Sequence, residues 1–245
     1  MSLIHEFSDS FVVTQYECDA SNHMTAGAVL RRAQQVSTDH CDALGLTSEV
    51  YARTGTAFLL AKVAVEWTRP IPVGTRVRIV TRPGAPVRAV YTRCTDFLDE
   101  AGERLCAMDS RWVLVDVASR RILRNPPEEI AQYFDAKAPY ELDVTVHKAA
   151  QLEDCGSQTA TYTRCDLNRH LNNTIYADIA CDCCDVQALL DRGIARFAAV
   201  YHKEVPLGMS FEVSRGVTES GSMYFCGLSE KSRHFEAEVT LFGEG

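Results

Sequence analysis

The 245-residue sequence predicts an α+β protein in which one unit, a long helix wrapped by an antiparallel sheet, occurs twice. Three observations carry that expectation. The heptapeptide CDASNHM at Cys18 to Met24 returns as CDLNRHL at Cys165 to Leu171, with Cys, Asp and His in the same places; each copy opens an apolar stripe of helical spacing; and each stripe precedes a run of segments rich in Val, Thr and aromatics. Hydrophobic residues at 46% and charged residues at 24% are enough to build a packed core and leave no case for a disordered or fibrous chain.

In the first half, Ala26, Leu30, Ala33, Ser37, His40 and Leu44 recur every three or four residues, one face of a helix, with Thr25 placed to cap it and Gly45 to end it. Four strand-like segments follow, AFLLAKVAVEW, TRVRIVT, VRAVYTRCTDFL and ERLCAMDSRWVLVDV, divided by Pro-Val-Gly, Pro-Gly-Ala-Pro and Asp-Glu-Ala-Gly turns. Between Ser119 and Val144 the strand pattern fails, and RRILRNPPEE and DAKAP read as a linker, which sets the two halves at 1–135 and 136–245. In the second half, Ile175, Ile179, Cys183, Val186 and Leu190 form the stripe, with Asn172 or Asn173 as cap and Gly193 as stop. RFAAVYHKEV, MSFEVSRGV, SMYFCGLSE and HFEAEVTLF then repeat the strand run at shorter length. The segments Val65 to Gly74 and Val200 to Gly208 align through a shared closing Pro-x-Gly, which puts Pro70 opposite Glu204. Two such sheets can join edge to edge.

A net charge of −8 excludes a general nucleic-acid or anionic-membrane binder, because both require a positive field. The charge is uneven, however. Thirteen basic against seven acidic residues between Arg53 and Arg124 leave a stretch that an acidic partner could meet. The N-terminal segment has Glu6 and Asp9 and no apolar run of signal-peptide length, and nowhere do about 18 apolar residues follow one another, so a soluble, cytoplasmic protein with ten free thiols is expected. In CDCCD, Cys181 and Cys184 share a helix face while Cys183 points into the apolar stripe. No four-ligand set closes, and neither metal nor cofactor is expected.

The chemistry concentrates in the second heptapeptide. Asp166, Asn168 and His170 alternate, so an extended loop would point all three to one side. Together they supply a carboxylate, an amide that both donates and accepts, and a ring that changes charge near neutral pH. The helix start beyond them adds backbone N–H groups and partial positive charge suited to a carbonyl gaining negative charge. Glu204, in the otherwise apolar strand-like VYHKEVP, could serve as general base on a water if it faces that helix start.

These residues resemble the acyl-acyl-carrier-protein (acyl-ACP) thioesterases, a family of tandem hotdog domains. Asp166, Asn168, His170, Asn172, Asn173 and Tyr176 correspond to its D-x-N-x-H-x-N-N-x-x-Y run, and YHKE ending at Glu204 resembles its Y-R-x-E strand. In the first half, WTRPIPVGTRV and DSRWVLVDVASRRILRNP are also similar. The resemblance implies a double hotdog that hydrolyses the thioester joining a fatty acyl chain to the phosphopantetheine of ACP, with Asp166, Asn168, His170 and Glu204 catalytic. Asp166 and Glu204 would orient or deprotonate the water, Asn168 and His170 would position the thioester, and either acid could be the base. Where plant members commonly carry Cys after the Glu, this chain has Val205, which favours water attack over a thiol nucleophile. The first copy keeps Asp19 and His23 but has Ser21 and Pro70 for the Asn and Glu, and so reads as the acyl-chain and partner half. Arg120, Arg121 and Arg124 are candidate contacts for acidic ACP; a monomer or homodimer is compatible with a tandem chain, and an acyl-CoA hydrolase or a non-catalytic acyl-binding sensor are the alternatives.

Overall fold

A computed structural model describes residues 5–230 and 232–243. The first half contains β1 (Phe7–Val12), α1 (Ala26–Ala43), α2 (Ser48–Thr54), β2 (Thr56–Trp67), β3 (Arg76–Pro83), β4 (Val90–Leu98), β5 (Arg104–Asp116), the short β6 (Arg121–Ile122) and α3 (Glu128–Ala131). The second contains β7 (Glu153–Thr159), α4 (Ile175–Asp182), α5 (Val186–Arg192), β8 (Ile194–Tyr201), β9 (Ser210–Val217), β10 (Met223–Ser229) and β11 (Ser232–Leu241). All strands join one antiparallel sheet in the order β1-β3-β4-β5-β2-β8-β11-β10-β9-β7, with β6 paired to β5. The halves meet edge to edge, β2 against β8, from Lys62 opposite Val200 to Glu66 opposite Arg196. This is a double hotdog.

Helix α1 forms as the spacing predicts. The Thr25 hydroxyl accepts from the Ala28 N–H at 3.0 Å, Gly45 leaves the helix at φ +81, and Ala26, Leu30, Ala33, Val36 and His40 are buried. The second helix differs from its single predicted stripe. It breaks after α4, where the Asp185 carboxylate accepts from the Ala188 N–H at 2.8 Å and starts α5. Val186 and Leu190 are 65% and 41% exposed, so the apolar face ends at Cys183. Asn172 Oδ1 takes both the N–H and the hydroxyl of Thr174, organising the turn before α4 rather than capping the helix. Helices α1 and α4 touch through Gly27, where an added Cβ would lie 2.0 Å from Asp178 Oδ1; Asp178 itself accepts from Arg31 at 2.8 Å. A side chain at residue 27 would displace the Asp178 carboxylate from its place between the helices.

A main apolar core runs through both halves, and a second cluster around Leu46, Tyr91, Leu114, Ile130 and Phe134 belongs to the first half. Along β4, Phe97 faces the main core and Tyr91 the second cluster, and between them lies a buried polar layer. Arg93 Nη1 is 3.1 Å from His40 Nδ1 and donates to Thr81 Oγ1 at 3.2 Å, and Nη2 is 3.6 Å from Cys41 Sγ. Burial lowers the guanidinium pKa, with Cys41 and Tyr51 acting in the opposite sense.

Much of the basic stretch is neutralised within the fold: Arg69 pairs with Asp99, Arg82 and Arg104 with Asp96, and Arg111 with Asp109. Arg120, Arg121 and Arg124 are exposed and have no carboxylate partner among the described residues. The linker is an ordered strap across the outer sheet face. Leu142 N–H donates to Asp109 Oδ2 at 3.0 Å, Arg196 donates to Asp143 O and Thr145 O, and His147 N–H donates to Glu238 at 2.8 Å. No helix among the described residues is long and apolar enough to cross a membrane.

Under the strap, Glu236 accepts from the Tyr224 hydroxyl at 2.6 Å and meets His202 Nε2 at 2.7 Å and Arg233 Nη1 at 2.9 Å. Burial alone would raise its carboxyl, but hydrogen bonds from Tyr224, His202 and Lys148 outweigh that and hold it at about 2. A carboxyl depressed on folding contributes stability that is whole above its ordinary value of 4.5 and fades as pH falls toward 2. Urea midpoints of the parent protein and of Glu236→Gln, measured between those limits, are expected to converge as the pH drops; a constant gap would remove Glu236 from the acid response.

Candidate active site

The heptapeptide at Cys165 to Leu171 is a closed loop rather than an extended segment. Cys165 and Leu171 pair across it, the Asp166 N–H donates to His170 O at 2.9 Å, and Arg169 turns the chain at φ +61. The Asp166 carboxylate folds onto the loop backbone, Oδ1 accepting from the N–H of Asn168 at 2.9 Å and of His170 at 3.2 Å. The expected alternation of Asp166, Asn168 and His170 toward one side therefore does not occur. Asn168 is exposed and His170 half-buried. The reason is local: a short carboxylate reaches N–H groups two and four residues on, which an extended course would leave to water. The first copy is built alike, with Asp19 Oδ1 accepting from Ser21 and His23 N–H at 2.8 and 3.1 Å and Asn22 at φ +60.

Two hydrogen bonds bring the second segment to the loop, Leu171 N–H to Val205 O and Leu207 N–H to Arg169 O, each 2.8 Å. His170 Nε2 consequently lies 3.8 Å from Glu204 Oε2, with side chains 31% and 50% exposed. Glu204 is not in a strand: β8 ends at Tyr201, and the chain turns away over residues 202–204. His234 holds that turn. Its carbonyl accepts from the N–H of His202 at 2.9 Å and of Lys203 at 3.3 Å, and its ring Nδ1 meets Lys203 O at 3.0 Å. A carbonyl only accepts, so Nδ1 carries the proton.

Behind the pair sits Tyr176, buried on α4, its ring 4.7 Å from Phe235 and 5.7 Å from Tyr201. Burial pushes its phenol up, and the charges of Glu204, Cys165 and Asp166 push it further; its hydroxyl stays protonated at neutral pH within the field of both carboxylates. The helix start offers fewer donors than expected. The N–H of Thr174 is taken by Asn172 Oδ1 and that of Ile175 by Asn172 O, so neither is free for an oxyanion.

The matching place in the first half is lined differently. A cavity of about 30 Å³, room for about one water, lies between the Asp19–His23 loop, Trp67, Pro70 and Gly193. Pro70 stands where the second half has Glu204, and its Cγ would be 3.4 Å from a Cβ on Gly193.

Residues 5–133 match the family model of the acyl-ACP thioesterase N-terminal domain, and residues 149–240 match that of the C-terminal domain. The chain belongs to the acyl-ACP thioesterase family. A chloroplastic acyl-[acyl-carrier-protein] hydrolase of Cuphea viscosissima is 26% identical over 184 residues, 69% of this chain and 45% of that protein. A chloroplastic palmitoyl-acyl carrier protein thioesterase of Gossypium hirsutum is 24% identical over 216 residues, 81% of this chain and 52% of that protein. The chain spans about half the length of these curated relatives. An acyl-ACP thioesterase structure from Bacteroides thetaiotaomicron superimposes with a TM-score of 0.87 at 17% identity, covering 98% of this chain and 100% of that one. A 12:0-ACP thioesterase from Umbellularia californica gives 0.84 at 19% identity, with 96% of each chain covered. Both share the double-hotdog fold.

In this member of the acyl-ACP thioesterase family, the residue after Glu204 is the fully buried Val205, so no thiol accompanies the carboxylate there. Sequence reasoning missed His234. Its one signal is a histidine in the apolar HFEAEV, which a buried imidazole can occupy only with hydrogen-bond partners.

Proposed function

We propose that the protein hydrolyses the thioester of fatty acyl-ACP to a free fatty acid and ACP, by attack of a water directed by carboxylate. The observation that supports this reading is the 3.8 Å approach of Glu204 to His170, two partly exposed groups from segments more than thirty residues apart. A water bonded to both would lie on the solvent side of the loop, with Glu204 taking its proton as general base. His170 then steadies the charge forming on the thioester, and Asn168, exposed on the same loop, has an amide to offer its carbonyl. Asp166 holds the loop through Oδ1 and adds negative charge beside Tyr176. ACP is the carrier, and Arg120, Arg121 and Arg124 are exposed cations placed to meet its acidic surface.

Incubation with a ladder of acyl-ACPs and the matching acyl-CoAs, followed by analysis of released fatty acids, tests both reaction and carrier; absence of release from every thioester would sink the proposal. The role of Asp166 has its own test. In Asp166→Asn the amide oxygen can still accept the two N–H bonds, so the loop survives and only charge is lost. Cleavage is expected to fall by about 10²-fold with an unchanged melting temperature, whereas Asp19→Asn, its duplicate, should cost little activity. Equal losses in the two variants would assign both aspartates to loop construction alone.

A further inference from the structure

Cysteines 155 and 183 are brought together by features that serve no purpose in the reaction above. The β7–β9 ladder runs Glu153 opposite Arg215 and Asp154 opposite Ser214, then resumes at Ser157 opposite Glu212. Cys155 and Gly156 form the bulge between, with Gly156 at φ +89. A bulge re-aims a side chain, and Cys155 packs at the margin of the main core where Cys183 also lies. Cys183 caps the end of α4, at the helix break. Arg215 ties the two places together, its Nε to the Glu153 carboxylate and its Nη1 to Cys183 O. The thiols are close enough to act on one another: Cys183 is pushed up to about 12, first by burial and then by Cys155. Both are partly exposed, whereas neighbouring Cys184 is buried with its Sγ donating to Ala180 O at 3.4 Å.

We propose that Cys155 and Cys183 are an oxidisable pair, converted by a low-molecular-weight disulfide into a protein disulfide that closes a ring around the loop of Asp166 to His170. The Cys155 thiolate attacks one sulfur of the reagent and releases one thiol, leaving a mixed disulfide. Cys183, its proton lost to solvent, attacks the Cys155 sulfur and releases the second thiol. Two protein thiols are oxidised to one S–S bond and the reagent disulfide is reduced to two thiols. Uncatalysed exchange of this kind takes on the order of minutes to hours. The closed ring spans residues 155–183 and includes the whole active-site loop, while Glu204 stays outside it.

The test is to incubate the intact protein with oxidised glutathione at about pH 8 for several hours, block the remaining thiols and digest without reductant. A peptide pair joined through Cys155 and Cys183, lighter than its parts by two hydrogens, is the expected product. The melting temperature should rise by roughly 5–10 °C and return on reduction, because the cross-link restricts the unfolded chain. Cys155→Ser and Cys183→Ser should show no rise. Independent alkylation or glutathionylation of the two cysteines, or a dominant disulfide between other residues, overturns the proposal. The peptide map of the parent protein decides the matter even if a serine variant fails to fold, and it does so whether or not any thioester is cleaved.

Discussion

Glu204→Gln is expected to lower thioester cleavage at least 10²-fold, on the order of 3 kcal/mol of transition-state stabilisation, without altering the fold. The side chain is half exposed, and His170 is its ion partner among the described residues, so nothing structural depends on its charge. Gln preserves size and one acceptor but cannot take a proton from water. Glu204→Asp withdraws the carboxylate by one methylene from a group that is already 3.8 Å away, and an intermediate loss is expected. Single-turnover rates on acyl-ACP together with thermal melts make the comparison. Parent-like rates in Glu204→Gln would take the residue out of the chemistry; a large drop in melting temperature would make its role structural.

The largest stability effect is expected at Arg93. Truncation to Ala removes a 6%-exposed side chain, leaves a cavity, and takes the guanidinium away from Thr81 and Cys41. A cost of about 3 kcal/mol follows from the void and the lost charged hydrogen bonds, which corresponds to a melting temperature lower by roughly 6–12 °C in a chain of this size. Arg93→Met should cost less, because it fills the space without burying a charge. A melt of Arg93→Ala within about 2 °C of the parent would show that the polar layer bears little of the fold's stability.

The sequence-derived expectations held where short-range and periodic signals agree. Thr25 and Gly45 bracket α1 because capping is a matter of a few neighbouring atoms, and the strand runs follow β-branched and aromatic residues. The repeat located both loops, and the shared Pro-x-Gly set Pro70 and Glu204 at equivalent positions, since Pro72 and Pro206 pair with His23 and His170 in the same manner. Other features were not legible. The stripe through Val186 and Leu190 kept helical spacing, but spacing alone does not show that a face has something to pack against, and Asp185 diverts the chain. Strands β1 and β7 were missed because they are sheet edges in which no residue is fully buried, and β7 is mostly polar as well. The layer of His40, Thr81 and Arg93 joins a helix to two strands, and the anchoring of Glu204 by His234 spans thirty residues. Such partners are chosen by tertiary packing, and a linear pattern carries no trace of them.

The seam between β2 and β8 lies within one polypeptide, and this has a consequence for how the molecule can change. In a pair of separate identical subunits, every substitution appears on both sides, so a residue that blocks one cleft blocks the other. Here Pro70 can stand beside one loop while Glu204 stands beside its counterpart, and unlike partners are assembled in a fixed one-to-one ratio without any need to recognise each other in solution.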